Sequence, residues 1–186
     1  MTRHIVGFSG NISRPSKTKN LVEFVANAIS DRKGCSYSVF DVIDLGPSFS
    51  NTHRVQDLDG AAARIVEQIV SADVLVVGSP TFKGSYTGLF KHFFDLLDPA
   101  SLRGKPVLVT ATGGGDKHAL IVEHQLRPLF GFFEALTLPT AIFASERDFA
   151  GGKLVGDAVR LRTEQAIEQA VNTLDARRPV RSGVAA

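Results

Sequence analysis

A parallel, doubly wound α/β sheet of five strands with helices on both faces is the fold this sequence predicts. Three observations predict it. Continuous apolar, β-branched runs bounded by Gly and Pro recur along the chain, the pattern of strands buried on both faces. Between them lie stretches whose apolar residues fall at helical spacing. The two kinds alternate from one end to the other, an order that right-handed crossovers turn into a sheet covered on both sides.

The first strand is Ile5 to Phe8, followed by a helix with Leu21, Phe24, Val25, Ala28 and Ile29 at helical spacing. Tyr37 to Ile43 alternates more strongly and reads as the second strand, and Ala61, Ala62, Ile65, Val66 and Ile69 mark the helix after it. Val74 to Gly78 is the third strand, and Leu89, Phe90, Phe93, Phe94 and Leu97 give its helix an apolar face. Val107 to Thr110 is the fourth, leading to a helix expected from about Ala119 to Leu136. Thr140 to Ala144 completes the sheet, and the last helix spans Asp157 to about Ala176. Residues 1–176 are expected to form one domain, with 177–186, which includes Arg177, Arg178 and Arg181, as a disordered tail.

A chain of 186 residues buries roughly 70% of its unfolded surface, enough for a core without staples. The lone Cys35 has no intrachain partner and no metal-ligand spacing, which points to a reducing compartment and hence the cytoplasm. Residues 1–8 hold too short an apolar run for a signal peptide, and nothing approaches the roughly 18 apolar residues of a membrane span. Lys and Arg number 21 against 19 acidic residues. A net charge of +2 argues against nucleic acid as partner and against a small acidic electron carrier.

In such a fold, ligands sit beyond the carboxyl ends of the strands. After strand one, SGNISRPSKTKN offers Ser9, Asn11, Ser13, Ser16 and Thr18 as neutral donors and Arg14 and Lys17 as charges, beside the free N–H groups opening a helix. A plain N-cap needs one such residue and this loop has five. A phosphate fits it, but GxxxxGK[ST] and the dinucleotide fingerprint are both absent. After strand three, Pro80, Thr81, Phe82, Lys83, Gly84 and Ser85 form a second loop, with Gly88 placed for a close approach. After strand four, Thr112, Gly113, Gly114 and Gly115 leave the main chain bare of side chains. The three together describe an elongated ligand with a phosphate at one end and a planar heterocycle at the other.

GFSGNISRPSKTKNL, SPTFKGSYTGLFKHFFDLL and ATGGG, in that order, resemble the three flavin loops of the flavodoxin-like NAD(P)H-dependent FMN reductases. The resemblance covers about residues 3 to 175. Lys83, where the family more commonly has asparagine or tyrosine, and HALIVEHQLRPLF are most similar to reductases serving two-component alkanesulfonate monooxygenases. The likeness implies FMN and NADPH as cofactors, the first loop around phosphate and ribityl chain, and the other two against the isoalloxazine. It also implies a homodimer or homotetramer.

Hydride transfer between nicotinamide and flavin is the cofactors' own chemistry, so no side chain is assigned as catalytic and no metal is called for. No GxSxG and no zinc-type His pair competes with this reading, and His92 reads as an ordinary helix-face residue. Pro128 inside an apolar-periodic segment denies the His124 carbonyl its donor, so the helix kinks or forms a π-bulge. The resemblance places an inserted residue there, near the subunit interface, at His124. The expected function is supply of free reduced FMN to a partner monooxygenase. The alternatives are a tight-binding quinone, azo or metal-oxyanion reductase, and a flavodoxin-like carrier that turns over no nicotinamide.

Overall fold

The computed structural model describes residues 3–177. The expected tail therefore lies outside them, except Arg177, which is docked: its backbone N–H caps the last helix on the Leu174 carbonyl, and its guanidinium donates to the Gly104 carbonyl.

Strands β1 (His4–Ser9), β2 (Ser36–Asp41), β3 (Val74–Pro80) and β4 (Pro106–Gly113) pair in parallel in the order β2-β1-β3-β4. The fifth position is shared by two short strands along β4. β5 (Leu136–Thr137) pairs with Pro106 and Val107, and β6 (Ile142–Ser145) pairs with Thr110 to Gly113. The strand expected from Thr140 thus starts only at Ile142, and the separate short strand β5 precedes it. Pro139 has no N–H for a ladder, and the Thr140 amide turns instead to the Gln169 side chain at 2.9 Å. The second strand also stops early, at Asp41, whose carboxylate accepts from the amides of Ile43 and Asp44 and starts a 3-10 turn.

Side-chain alternation makes two cores. Val6, Phe8, Leu75, Val77, Val107 and Val109 face α2 (Gly60–Ser71), α3 (Gly88–Asp95) and the chain around residue 130. Ile5, Val74, Val76 and Leu108 face α1 (Lys17–Lys33) and α5 (Asp157–Ala176). A period of two in each strand, with both faces apolar, is what fully covered parallel strands demand. Phe90, Phe93 and Phe94 of α3 are fully buried and form an aromatic cluster with Phe8, so they belong to the core. A hairpin of β7 (Phe149–Ala150) and β8 (Lys153–Leu154) rests on α1, where Asn20 donates to the Gly152 carbonyl at 2.9 Å.

The fourth helical segment is shorter and less regular than its periodicity predicts. A 3-10 turn covers Asp116–His118, a π turn covers Val122–Leu126, and α4 runs only over Arg127–Phe132. The Arg127 amide reaches back five residues to the Val122 carbonyl, and Pro128 next to it brings no N–H. The helix ends where Glu134 adopts a left-handed φ of 52°. Among the described residues, no helix is long and apolar enough to cross a membrane.

Candidate active site

The ends of β1, β3 and β4 are stitched into one rim. The Gly10 amide donates to the Gly78 carbonyl at 2.7 Å, and the Gly10 carbonyl accepts from the Thr87 hydroxyl at 2.7 Å. The Thr112 carbonyl accepts from both the amide and the hydroxyl of Thr81, at 2.7 and 2.8 Å. Thr18 and Thr112 meet hydroxyl to hydroxyl at 2.7 Å, both buried. Gly10 is required by space: a Cβ there would lie 2.7 Å from the Phe90 ring.

Within the first loop, the side chains divide by partner. Ser9 and Asn11 are buried, yet the Ser9 Oγ and the Asn11 Oδ1 have no partner. Buried polar atoms are rarely left so, and a ligand is one thing that completes them. Ser16 caps α1 by accepting from the Lys19 amide at 3.2 Å, which leaves the first-turn amides facing the loop. Ser13 is exposed and lends its carbonyl to the Asn11 amide group at 3.1 Å.

The charges differ from expectation. Arg14 is turned onto Asp41, with Nε to Oδ2 at 2.8 Å and Nη2 to Oδ1 at 2.7 Å, and also reaches Asp44. Lys17 pairs with Glu146, and Lys19 with Asp41 and Asp44 at 3.1 and 3.4 Å. Thr18 is a tie to the third loop rather than a free donor. Burial works against ionisation of Asp41, but hydrogen bonds from Arg14, Asn11 and Lys19 outweigh it and hold the carboxyl well below the usual carboxylate range.

In the second loop, Pro80 closes β3 opposite Thr112. Phe82 and Ser85 exchange backbone bonds of 2.8 and 3.1 Å around Lys83 and Gly84, whose φ values of 52° and 85° make a hairpin-type turn. Phe82 and Lys83 project from it exposed. Ser85 donates to the Gln125 side-chain oxygen at 3.1 Å, which links this turn to the π turn. Gly88 makes no close approach to the rest of the chain, since a Cβ there meets no protein atom within 4 Å. His92 contacts Phe49.

The third loop leaves bare backbone. Gly113 packs against Phe143 and Thr81, while a Cβ on Gly114 or Gly115 would meet nothing within 4 Å. His124 and Pro128 lie exposed on the irregular helix, outside the three loops. The π turn is pinned by Arg127, which is bidentate to Glu123 at 2.6 and 3.0 Å and donates to the Leu138 carbonyl at 2.9 Å. Asp41, Asp44, Lys19 and Gln125 escaped the sequence reading. The Asp-x-x-Asp of a capping box at the end of strand two was the available signal for the first two.

Unsatisfied Ser9 and Asn11 beside the opening turn of α1, with open glycine backbone at the other end, fit the phosphate, ribityl chain and flat ring of FMN. Fold and rim together define a flavodoxin-like oxidoreductase. The family model for NADPH-dependent FMN reductase matches residues 3–150, and the chain belongs to that family. It is 39% identical over 166 residues to the FMN reductase (NADPH) of Pseudomonas aeruginosa, covering 89% of both. To the NADH-dependent FMN reductase SfnE of Pseudomonas putida it is 36% identical over 178 residues, covering 96% of both. Among solved structures, an NADH:FMN oxidoreductase (EMOB) in its apo form superposes with a TM-score of 0.85 at 32% identity, over 95% of this chain and 92% of that one.

Proposed function

We propose that the protein oxidises NADPH, reduces FMN and releases the product as free reduced flavin, in the cytoplasm, to a flavin-dependent monooxygenase of the alkanesulfonate type. The observation that carries this reading is the pair of unpartnered buried groups on Ser9 and Asn11 at a rim whose other end is open glycine backbone. The similarity to the FMN reductase (NADPH) of Pseudomonas aeruginosa and to SfnE supports reduction of FMN by a nicotinamide.

Each element has a task. The α1 amides with Ser13 and Ser16 hold the phosphate, and Ser9 and Asn11 bind ribityl hydroxyls. Residues 80–85 and 112–115 give the ring a flat, largely main-chain bed, and Lys83 is placed to balance negative charge on the reduced ring. FMN and the nicotinamide supply the hydride chemistry themselves. Exposed Leu120, Phe132 and Leu136 around the fourth helical segment support a homodimer or homotetramer through this face.

The test is a steady-state assay with NADPH and NADH side by side, with and without added FMN, on protein passed through gel filtration. Pale protein whose oxidation of NADPH depends on added FMN is the expected result. Protein that stays yellow and reduces quinones without added flavin overturns the release step. Absence of any nicotinamide oxidation overturns the enzyme reading.

A further inference from the structure

Phosphate loops gain affinity from cations, yet this one has its cations already occupied. Arg14, Lys17 and Lys19 all lie within one turn of the α1 N-terminus. Their partners are Asp41, Asp44 and Glu146, which come from the end of β2, the 3-10 turn after it and the turn after β6. Three positive charges meet three negative ones, so the loop is close to neutral. A phosphate arriving there is attracted by amide and hydroxyl donors, and the cations help it only to the extent that they leave their carboxylates.

The carboxylates are not alike. Asp41 is fully buried, receives Arg14, Lys19 and Asn11 together and caps the 3-10 turn, so it is part of the framework. Asp44 side chain is 29% exposed and Glu146 68% exposed. Glu146 takes part in no cap of its own turn, which Ser145 and Asp148 close. Glu146 therefore adds charge to the loop at little structural cost, while Asp44 also accepts from the Asp41 amide at 2.8 Å and needs an oxygen, not a charge, for that bond.

We propose that Asp44 and Glu146 set the flavin affinity: by holding Arg14, Lys19 and Lys17 in ion pairs they cancel the loop's charge and keep FMN exchangeable. This rests on the FMN-reductase reading above and adds a specificity consequence. Such a site distinguishes FMN from riboflavin weakly, because the phosphate meets little net charge, and its FMN affinity depends little on salt.

The experiment titrates full-length protein with FMN and with riboflavin by flavin fluorescence, for the parent, Asp44→Asn, Glu146→Gln and the double variant, at two salt concentrations. Asn at position 44 keeps an oxygen for the Asp41 amide. Glu146→Gln lies on an exposed turn, so it stands as the test if the first variant folds poorly. Each single variant is expected to tighten FMN about three- to ten-fold at low salt while riboflavin stays put: Glu146→Gln frees Lys17, and Asp44→Asn leaves Arg14 and Lys19 sharing the single charge of Asp41, so each adds one net positive charge for a phosphate. The gain should shrink in high salt. Weaker FMN binding, or equal shifts for both flavins, overturns the inference, since a merely structural role moves the two ligands together. Parent protein that binds neither flavin at micromolar concentration overturns the FMN reading itself, and the inference with it.

Discussion

The Ser85 hydroxyl donates to the side-chain oxygen of Gln125 at 3.1 Å, joining the turn that carries Lys83 to the π turn of the fourth helical segment. The segment itself is held by Arg127 through Glu123 and the Leu138 carbonyl. A change in winding around residue 124 therefore reaches the turn of residues 82–85 through one hydrogen bond.

Gly114→Val should leave the fold intact and impair the site. A Cβ at Gly114 meets nothing within 4 Å, and its φ lies outside the left-handed region. Stability by urea denaturation should stay within about 0.5 kcal/mol of the parent, as for an ordinary surface change. Flavin affinity should fall about tenfold or more, equivalent to about 1.4 kcal/mol, if the open space at Gly114 takes the ring as proposed. Gly10→Ala is the contrast: its Cβ would sit 2.7 Å from Phe90, and the overpacking should cost about 1–3 kcal/mol of stability. Equal unfolding of both variants would make Gly114 a structural glycine.

Arg14→Ala should destabilise as well as weaken binding. It removes two hydrogen bonds from buried Asp41 and leaves Asn11 and Lys19 as its side-chain donors. The expected loss is about 1–3 kcal/mol, at the lower end because the Arg14 side chain is 45% exposed and screened by solvent. Asp41 has a depressed folded pKa, so its contribution is present above the ordinary carboxylate value near 3.8 and is lost as pH falls below it. The variant should accordingly show a shallower loss of stability from pH 5 to pH 2. An unchanged acid limb would show that the pair contributes nothing. FMN should weaken more than riboflavin, through exposure of the Asp41 charge to the phosphate.

What the sequence disclosed and what it hid have the same cause. Apolar runs, helical stripes and the loops rich in glycine and hydroxyl groups are local patterns, and strands β1, β3 and β4 with the rim above them follow from those alone. Pro128 likewise announces a helix that cannot wind regularly. The pairing of Arg14 with Asp41 spans 27 residues and that of Ser85 with Gln125 spans 40, so neither has a local signature. The loop cations looked available because their counter-charges stand on β2 and beyond β6, and only the sheet order brings those ends together. The break at Pro139 was visible as a residue, but its consequence depended on Gln169 offering the Thr140 amide another acceptor.

Lys105→Met tests a buried charge at the opposite end of the sheet. Lys105 is buried, donates to the Ala72 carbonyl, and is pushed down to about 8 by burial, with Asp73 opposing and Arg177 adding to the shift. An amine whose folded pKa is depressed adds stability as pH rises from about 8 towards its ordinary value near 10.5, because the unfolded chain binds the extra proton in that window. The parent should gain about 2–3 kcal/mol over the methionine variant between pH 7 and pH 10.5. Urea denaturation at pH 7, 8, 9 and 10 measures it, and a pH-independent difference would place the ammonium in a better solvated setting than the structure does.

The last prediction concerns release. A reductase that supplies free reduced flavin has to bind it moderately: micromolar binding corresponds to about −8 kcal/mol, against about −12 at nanomolar, where dissociation becomes slow. The π turn carries one residue more than the helix needs, and His124 is its exposed member, with Val122 and Leu126 buried on either side. Deleting His124 should let both flanks keep their buried residues while the winding becomes regular up to Pro128, and the Ser85 to Gln125 link then sits on a stiffer support. The shortened variant should retain flavin through gel filtration and pass less reduced flavin to a monooxygenase. Flavin absorbance of the eluted protein and FMN-dependent NADPH oxidation are the two measurements. A deletion variant that elutes pale and turns over at the parent's rate would show that the extra residue has no part in flavin exchange.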